Sequence, residues 1–362
     1  MNRKKMPRWL RIVLRIVAVI VILLLFAGGM LLGMREKGRR QMLEKTAVIP
    51  QIILEEETVS GNEAVAAKEE KPLKEGEILY KGKKYEYRTD VMSILFMGID
   101  KKSELSAGKD ALDGGQADAL FLLLADPEEE RIYVVGINRN SMADVDVFDR
   151  DGAYTETRLM QIALQHGYGD GLEQSCERQC AAVSRLLRGI PVHAYAALNI
   201  AGVPDLNDAI GGVDVTVLED VSEDGVVLKA GEERHLSGKE AYVYVMDRDV
   251  NVFDSNSLRE KRQKQYLSAY ASCLKKKLKE DPTAVIGLYS AASGYMVTDI
   301  DLSRAVYLAG ELAGYEFSAA DIETLPGKVV QGELFEEYYV DDEAVREMIV
   351  ARFYRPVADE DE

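Results

Sequence analysis

Three charged residues stand at the ends of apolar runs. "SILFMGID" ends at Asp100, "ALFLLLAD" begins directly after Asp118, and "YVVGINRNSM" runs into Arg139. If these runs are successive antiparallel strands, the first ends where the second begins and the third returns to the same edge, so the three side chains meet. Two carboxylates with room for water suit a hard cation, Mg²⁺ or Mn²⁺, which takes one or two protein carboxylates and fills its other positions with water or phosphate oxygens. An arginine beside them clamps a phosphate bidentately. The plainer alternative makes Arg139 only the ion-pair partner of the two aspartates. A second group lies in "SNSLREKRQKQYL", where Arg259, Arg262 and Gln263 fall at i, i+3 and i+4 of one expected helix and share a face, with Lys261 and Lys264 extending the strip. Near a helix N-terminus such a face suits a pyrophosphate; a solvated basic face is the alternative.

The elements that must position these groups read as α/β. After a hairpin expected in "ILYKGKKYEYRTD" around Gly82 come the three apolar strands, the turn "DPEEE" reversing the chain between the second and third. Helices are expected near Glu156–Gly167, Leu172–Leu187, Ala201–Ala209, Gly238–Met246, Asn256–Lys279, Ser303–Leu312 and Asp342–Phe353, with short strands at "AYAALNI", "VDVTV", "GVVLK", "IETLP" and "YYV" between them. The expected architecture is a mixed central sheet flanked by helices on both faces.

Charge is divided unevenly over the 362 residues. Residues 1–40 hold ten Lys/Arg against one Glu, a charge of +9, so a net charge of −17 leaves −26 for the remainder. That acidity argues against nucleic-acid binding. The basic start flanks "IVAVIVILLLFAGGMLLGM", Ile16–Met34, nineteen uncharged residues and about the length that crosses a ~30 Å hydrocarbon core. The run is longer than a cleavable signal core, and "REKGRR" follows it in place of a small-residue cleavage site, so an uncleaved single-pass anchor is expected. The basic N-terminus sets the inside orientation, although Arg35, Lys37, Arg39 and Arg40 weaken the asymmetry. The expected organisation is a cytoplasmic segment over 1–15, a membrane helix over 16–34, an acidic extracellular stalk over 35–78, one folded domain over 79–357 and an acidic tail over 358–362. The chain would thus sit in the cell membrane with its large domain outside.

Cys176 and Cys180 lie one helical turn apart and Cys273 far away, which fits no zinc or C-x-x-C spacing, and three semi-buried thiols are expected. His166 shares a helix face with apolar residues and is expected in the core or at a helix end, whereas His193 and His235 carry no partner pattern.

Several of these stretches, in this order, resemble the LytR-CpsA-Psr family of membrane-anchored cell-envelope proteins. "SILFMGID" is similar to its first strand with the terminal Asp, "GQADALFLLLAD" to its R-S-D-T motif, "VVGINRNS" to its P-R-D-T motif and "LREKRQKQYL" to its R-x-x-R-Q helix. "LNIAGVPDLNDAIGGVDVTV" and "LKAGEERHLSGKEAYVYV" are similar to the segments between. The likeness runs from about Ser93 to Leu267. It implies an α/β/α domain that holds a polyprenyl phosphate in an apolar pocket and transfers a phosphoglycan from a polyprenyl diphosphate to a peptidoglycan hydroxyl, yielding teichoic acid, capsule or a similar wall polymer. By the same resemblance Asp100 and Asp118 are metal ligands, Arg139, Arg259, Arg262 and Gln263 hold phosphate, and Arg158 takes a lysine's place. A non-catalytic polyprenyl-phosphate-binding or regulatory module of the same fold is the alternative. The chain departs from the pattern at Gln116, Ala117 and Asn140, and at Tyr244 and Met246, where the family has a paired R-x-R; Arg248 is the nearest replacement. For the acceptor's proton, Asp254, just before Arg259, is the nearest carboxylate.

Overall fold

The structure is a computed structural model that describes residues 28–52, 73–108, 113–247 and 255–357. Residues 28–46 form a helix, α1. The hairpin of β1 (Glu77–Tyr80) and β2 (Lys83–Tyr87) turns at Lys81 and Gly82, whose φ values of 48° and 74° are those a tight two-residue hairpin loop requires. Then come β3 (Met92–Ile99), β4 (Ala117–Asp126), β5 (Arg131–Ile137), β6 (Met142–Phe148), β7 (Tyr154–Gln161), α2 (Leu164–Gly167), α3 (Glu173–Leu186) and β8 (Ala194–Asn199). A subsidiary lobe follows, α4 (Val203–Ile210), β9 (Val213–Thr216), β10 (Val221–Glu223), β11 (Val226–Leu228), β12 (Glu233–Leu236) and α5 (Gly238–Met246). The chain continues through α6 (Ser255–Glu280), α7 (Ala284–Ala292), β13 (Met296–Thr298), α8 (Leu302–Leu312), β14 (Ile322–Thr324), β15 (Gly327–Gln331), β16 (Glu336–Val340), α9 (Asp342–Phe353) and β17 (Tyr354–Pro356).

The central sheet has six strands in the order β13-β8-β3-β4-β5-β14, and β3 to β5 form the expected antiparallel meander. Parallel pairing of β3 with β8 and of β5 with β14 makes the sheet mixed. Strand side chains alternate between faces. Leu95, Met97, Ile99, Leu120, Leu122 and Leu124 bury on one face against Val183 and Leu187 beside α3 and against Ile349 and Phe353 of α9. On the other face Ile94 packs with Tyr307 and Leu308 of α8 and with Met42 of α1. A third cluster, including Val213, Val215, Leu228, Leu236 and Tyr244, closes the lobe.

Further along β3 that second face is not sealed. Phe96 lies on a central strand yet is 41% exposed. Its neighbours across the sheet are Phe121 on one side and Ala196 on the other, and Phe121 in turn lies opposite Gly136. The two phenyl groups are thus side-by-side neighbours on this face, flanked by small residues.

Two expectations are corrected. Residues 156–161 of the expected helix over Glu156–Gly167 belong to a strand, paired with β6 from Met142↔Gln161 to Phe148↔Tyr154, and helix is confined to Leu164–Gly167. "YTETRLMQ" is β-rich, and the alternating "MADVDVF" supplies the partner that decides its state. The stalk expected from residue 35 is helical to residue 46, and Met42 is fully buried. The chain after α1 stays on the domain as well: a Cβ at Gly189 would lie 2.9 Å from the carbonyl oxygen of Gln51. Residues 53–72, the tail at 358–362 and residues 16–27 of the expected membrane span lie outside the described residues, among which no helix is long and apolar enough to cross a membrane.

Candidate phosphate and metal site

Asp118 sits at the start of β4 and accepts from two directions. Its Oδ1 is 3.1 Å from Nη1 of Arg139, which follows β5, and its Oδ2 takes a 3.1 Å hydrogen bond from Nη1 of Arg259 on α6. The meander thus brings Asp118 and Arg139 to one edge, and the first turns of α6 bring Arg259 to the same carboxylate. All three side chains are mostly buried, with exposures of 16%, 12% and 5%. Two atoms at the junction, Asp118 Oδ1 and Arg139 Nε, are buried and take no hydrogen bond among the described residues. Asp118 Oδ1 has only its ion pair with Arg139, and Arg139 Nε is open to an anion or acceptor.

Asp100, on the neighbouring strand end, is fixed by its backbone exchange with Gln116: Gln116 N–H donates to Asp100 Oδ1 at 2.7 Å, and Asp100 N–H donates to the Gln116 carbonyl at 3.1 Å. Crowding strips water from its carboxyl and raises its pKa, the charge of Asp118 adds to the rise, and the Gln116 N–H opposes it. The loop that carries Gln116 is held from beneath. Gly115 has a φ of 78°, and a Cβ there would crowd Asp100 Oδ1 at 3.0 Å, so glycine is what the turn admits. The carbonyl of Gly115 meets His166 Nδ1 at 3.0 Å. His166 is buried at the end of α2, as expected, and burial pushes its pKa down to about 4. All three cysteines are free thiols, Cys176 buried and the others partly so.

Gln116 matters in its own right. Its side-chain oxygen accepts from Arg139 Nη2, orienting the guanidinium toward Asp118. Sequence reading treated Gln116 as a lost arginine; its signal was only its place two residues before Asp118. Glu260 was missed as well. It lines the crevice under the cluster with Phe121, Arg139 and Gln263, accepts from Thr324 Oγ1 at 2.5 Å, and pairs with Lys264 at 3.3 Å.

The remaining expected residues go elsewhere. Arg262 shares the helix face with Arg259, yet its Nη1 donates to the Tyr244 carbonyl at 2.7 Å, its Nη2 donates to the Asp247 carbonyl, and its Nε is 2.9 Å from Glu219. Gln263 donates to the Val245 carbonyl at 3.1 Å. Together they satisfy carbonyls that the end of α5 leaves open. Tyr244 points into the lobe, fully buried, its hydroxyl donating to Gln265 Oε1 at 2.5 Å and accepting from Leu218 N–H at 3.2 Å. Arg158 sits on the β6–β7 hairpin, 62% exposed and paired with Glu156 at 2.5 Å, so it is not brought to the cluster. Arg248 and Asp254 lie outside the described residues. The crevice encloses ≈ 10 Å³, room for about one water and not for a polyprenyl chain, so the apolar pocket implied by resemblance is not preformed there.

Comparison with known proteins places the chain among cell-wall relatives. Two curated relatives are polyisoprenyl-teichoic acid–peptidoglycan teichoic acid transferases TagU. The one from Bacillus cereus (strain AH820) is 26% identical over 159 residues, 43% of this chain and 44% of the relative. The one from Halalkalibacterium halodurans is 28% identical over 155 residues, again 43% and 44%. The match thus spans less than half the length of these relatives. Among solved structures, B. subtilis TagV has a TM-score of 0.54 at 24% identity, covering 72% of this chain and 96% of that one. TagT bound to LIIa-WTA has a TM-score of 0.51 at 23% identity, covering 72% and 88%. Both likenesses are of fold. The LytR_cpsA_psr family model matches residues 54–351, most of the chain, and the chain belongs to that family.

Proposed function

We propose that this protein is a membrane-anchored transferase that moves a glycopolymer from a polyprenyl diphosphate carrier to peptidoglycan. The observation that carries the reading is the convergence of Asp118, Arg139 and Arg259, with Arg139 Nε open to an acceptor, at the edge of a sheet whose adjoining face leaves Phe96 uncovered. A diphosphate headgroup meets the guanidinium groups, and the polyprenyl chain lies along Phe96 and Phe121 once α6 yields room beyond the present crevice. The apolar run over 16–34 supplies the anchor, with the domain outside the cell.

Phosphoryl transfer asks a protein mainly for positioning and charge stabilisation. Arg139, held by Gln116, presents its fork to one phosphate, and Arg259 reaches the same region from α6. Asp100 and Asp118 are the donor set for Mg²⁺ or Mn²⁺, and the fit rests on the buried oxygen of Asp118 that takes no hydrogen bond and on the carboxyl of Asp100, whose negative charge is disfavoured where it stands. A bound divalent ion supplies charge neutralisation at the diphosphate oxygens. Asp254 remains the carboxylate assigned to the acceptor's proton.

One observation favours a second reading, a binding or regulatory module without turnover. With Arg262 engaged at the end of α5 and Arg158 on the exposed β6–β7 hairpin, two of the cations expected at the diphosphate are withdrawn from it. Mass spectrometry of lipid that co-purifies with the chain tests the ligand class common to both readings, and absence of polyprenyl phosphate counts against both. Release of polyprenyl phosphate from a diphosphate-linked glycan in the presence of peptidoglycan separates them: turnover supports the transferase, and binding without turnover the module.

A further inference from the structure

The four cations that follow the apolar run, Arg35, Lys37, Arg39 and Arg40, stand on the side of the span where the charge rule expects few. The structure gives them other work. Helix α1 lies against α8 and the segment before it: Arg35 pairs with Glu311 at 3.3 Å, Lys37 with Asp301 at 3.8 Å and Lys45 with Asp299. Arg39 and Arg40 both pair with Glu36 at 3.0 Å. Exposed pairs contribute little to stability; contact between the helices is decided by shape. At Gly38 the two backbones touch, and a Cβ there would lie 2.1 Å from the Ser303 carbonyl oxygen. One turn later Met42 is 0% exposed, packed with Ile94, Tyr307 and Leu308, and Thr46 is 2% exposed. At the other end, before the first pairing at Arg35, Met30 and Leu32 are 61% and 68% exposed. One half of a continuous helix is thus seated on the domain, and the other presents bare apolar side chains.

We propose that α1 is a rigid strut between bilayer and domain. The bilayer takes its apolar first turns, α8 takes its second half, and the phosphate site is held at a set height and orientation over the membrane instead of riding on a slack tether. This rests on the membrane-anchored reading above. The strut also borders the lipid path: Ile94, which Met42 touches through the shared cluster, is two residues from Phe96 on the same face of β3. A polyprenyl chain leaving the bilayer along α1 would reach this face of β3 near Phe96.

The test uses the full chain in phosphatidylglycerol-containing nanodiscs and site-resolved labelling with a hydrophilic maleimide. Leu43→Cys, at a position 44% exposed, is expected to react at least about tenfold faster than Met42→Cys, its buried neighbour, and Leu32→Cys is expected to be as slow as Met42→Cys because lipid covers it. Equal rates at 42 and 43 overturn the docking whatever happens at 32. Fast reaction at 32 with slow reaction at 42 overturns the bilayer contact, and with it the anchor, while leaving the docking in place. Because a cysteine is smaller than the methionine it replaces and can loosen the seat, peroxide oxidation of the native Met42 is followed in parallel. Gly38→Leu is expected to speed it at least about tenfold without slowing refolding of the sheet; an unchanged rate overturns the docking.

Discussion

Arg259 and Arg262 lie three residues apart on one face of one helix, and they do opposite things. Arg259 reaches across to the Asp118 carboxylate at the sheet edge, where neighbouring polar atoms remain unsatisfied. Arg262 is committed to two backbone carbonyls at the end of α5 and to an ion pair with Glu219. Helical spacing says which side chains point the same way; what each meets depends on the element opposite. Here α5 ends against α6 with Tyr244 turned inward, and its bare carbonyls claim the second arginine.

The comparison breaks if the two arginines respond alike. Arg262→Ala is expected to destabilise the fold by about 3–5 kcal/mol, since it leaves carbonyls and a carboxylate without their buried cation, while the folded fraction keeps its phosphate affinity. Chemical denaturation and a diphosphate titration on the same sample check both halves. Acid provides the next largest effect. His166 and His193 are buried, and burial holds each near a pKa of about 4. Their folded values lie below the ordinary one, so the stability tied to keeping them neutral is complete above about pH 6.5 and is lost as pH falls toward about 4, up to about 3 kcal/mol each. His166→Gln and His193→Gln are expected to flatten the dependence of stability on pH in that window. If His166 alone matters to the site, only its variant also weakens diphosphate binding, through the Gly115 loop.

Asp100 sharpens the picture with a smaller effect of the other sign. Its raised pKa means that the folded state holds the proton more tightly, so stability declines as pH climbs through the ordinary carboxylate range to the raised value. Asp100→Asn is expected to raise the melting temperature at neutral pH, to leave it unchanged below about pH 3, and to weaken Mn²⁺ binding measured by calorimetry. Smallest of all, Tyr244→Phe removes one buried hydroxyl with two hydrogen bonds and is expected to cost about 1 kcal/mol, with no change in ligand affinity.

The meander was legible because three long apolar runs, the second and third joined by a tight turn, permit few arrangements, and its legibility carried Asp118 and Arg139 to one edge. The R-x-x-R-Q spacing carried Arg259 there too. What could not be read was set by partners outside each local pattern: the β6 strand that makes residues 156–161 strand and not helix, the α5 carbonyls that claim Arg262, and the α8 backbone that seats Gly38. Gln116 read as a loss because motif comparison registers the missing charge and not the amide that orients Arg139.

The central claim is that Arg139 faces a phosphate and is more than the partner of Asp118. Titrating a short-chain polyprenyl diphosphate with Mn²⁺ against wild type, Arg139→Ala and Arg139→Lys tests it directly. The account predicts a loss of about 2–5 kcal/mol for alanine and partial recovery for lysine, which keeps the charge but lacks the planar fork. Equal affinity in all three, with only stability lowered in Arg139→Ala, would contradict it.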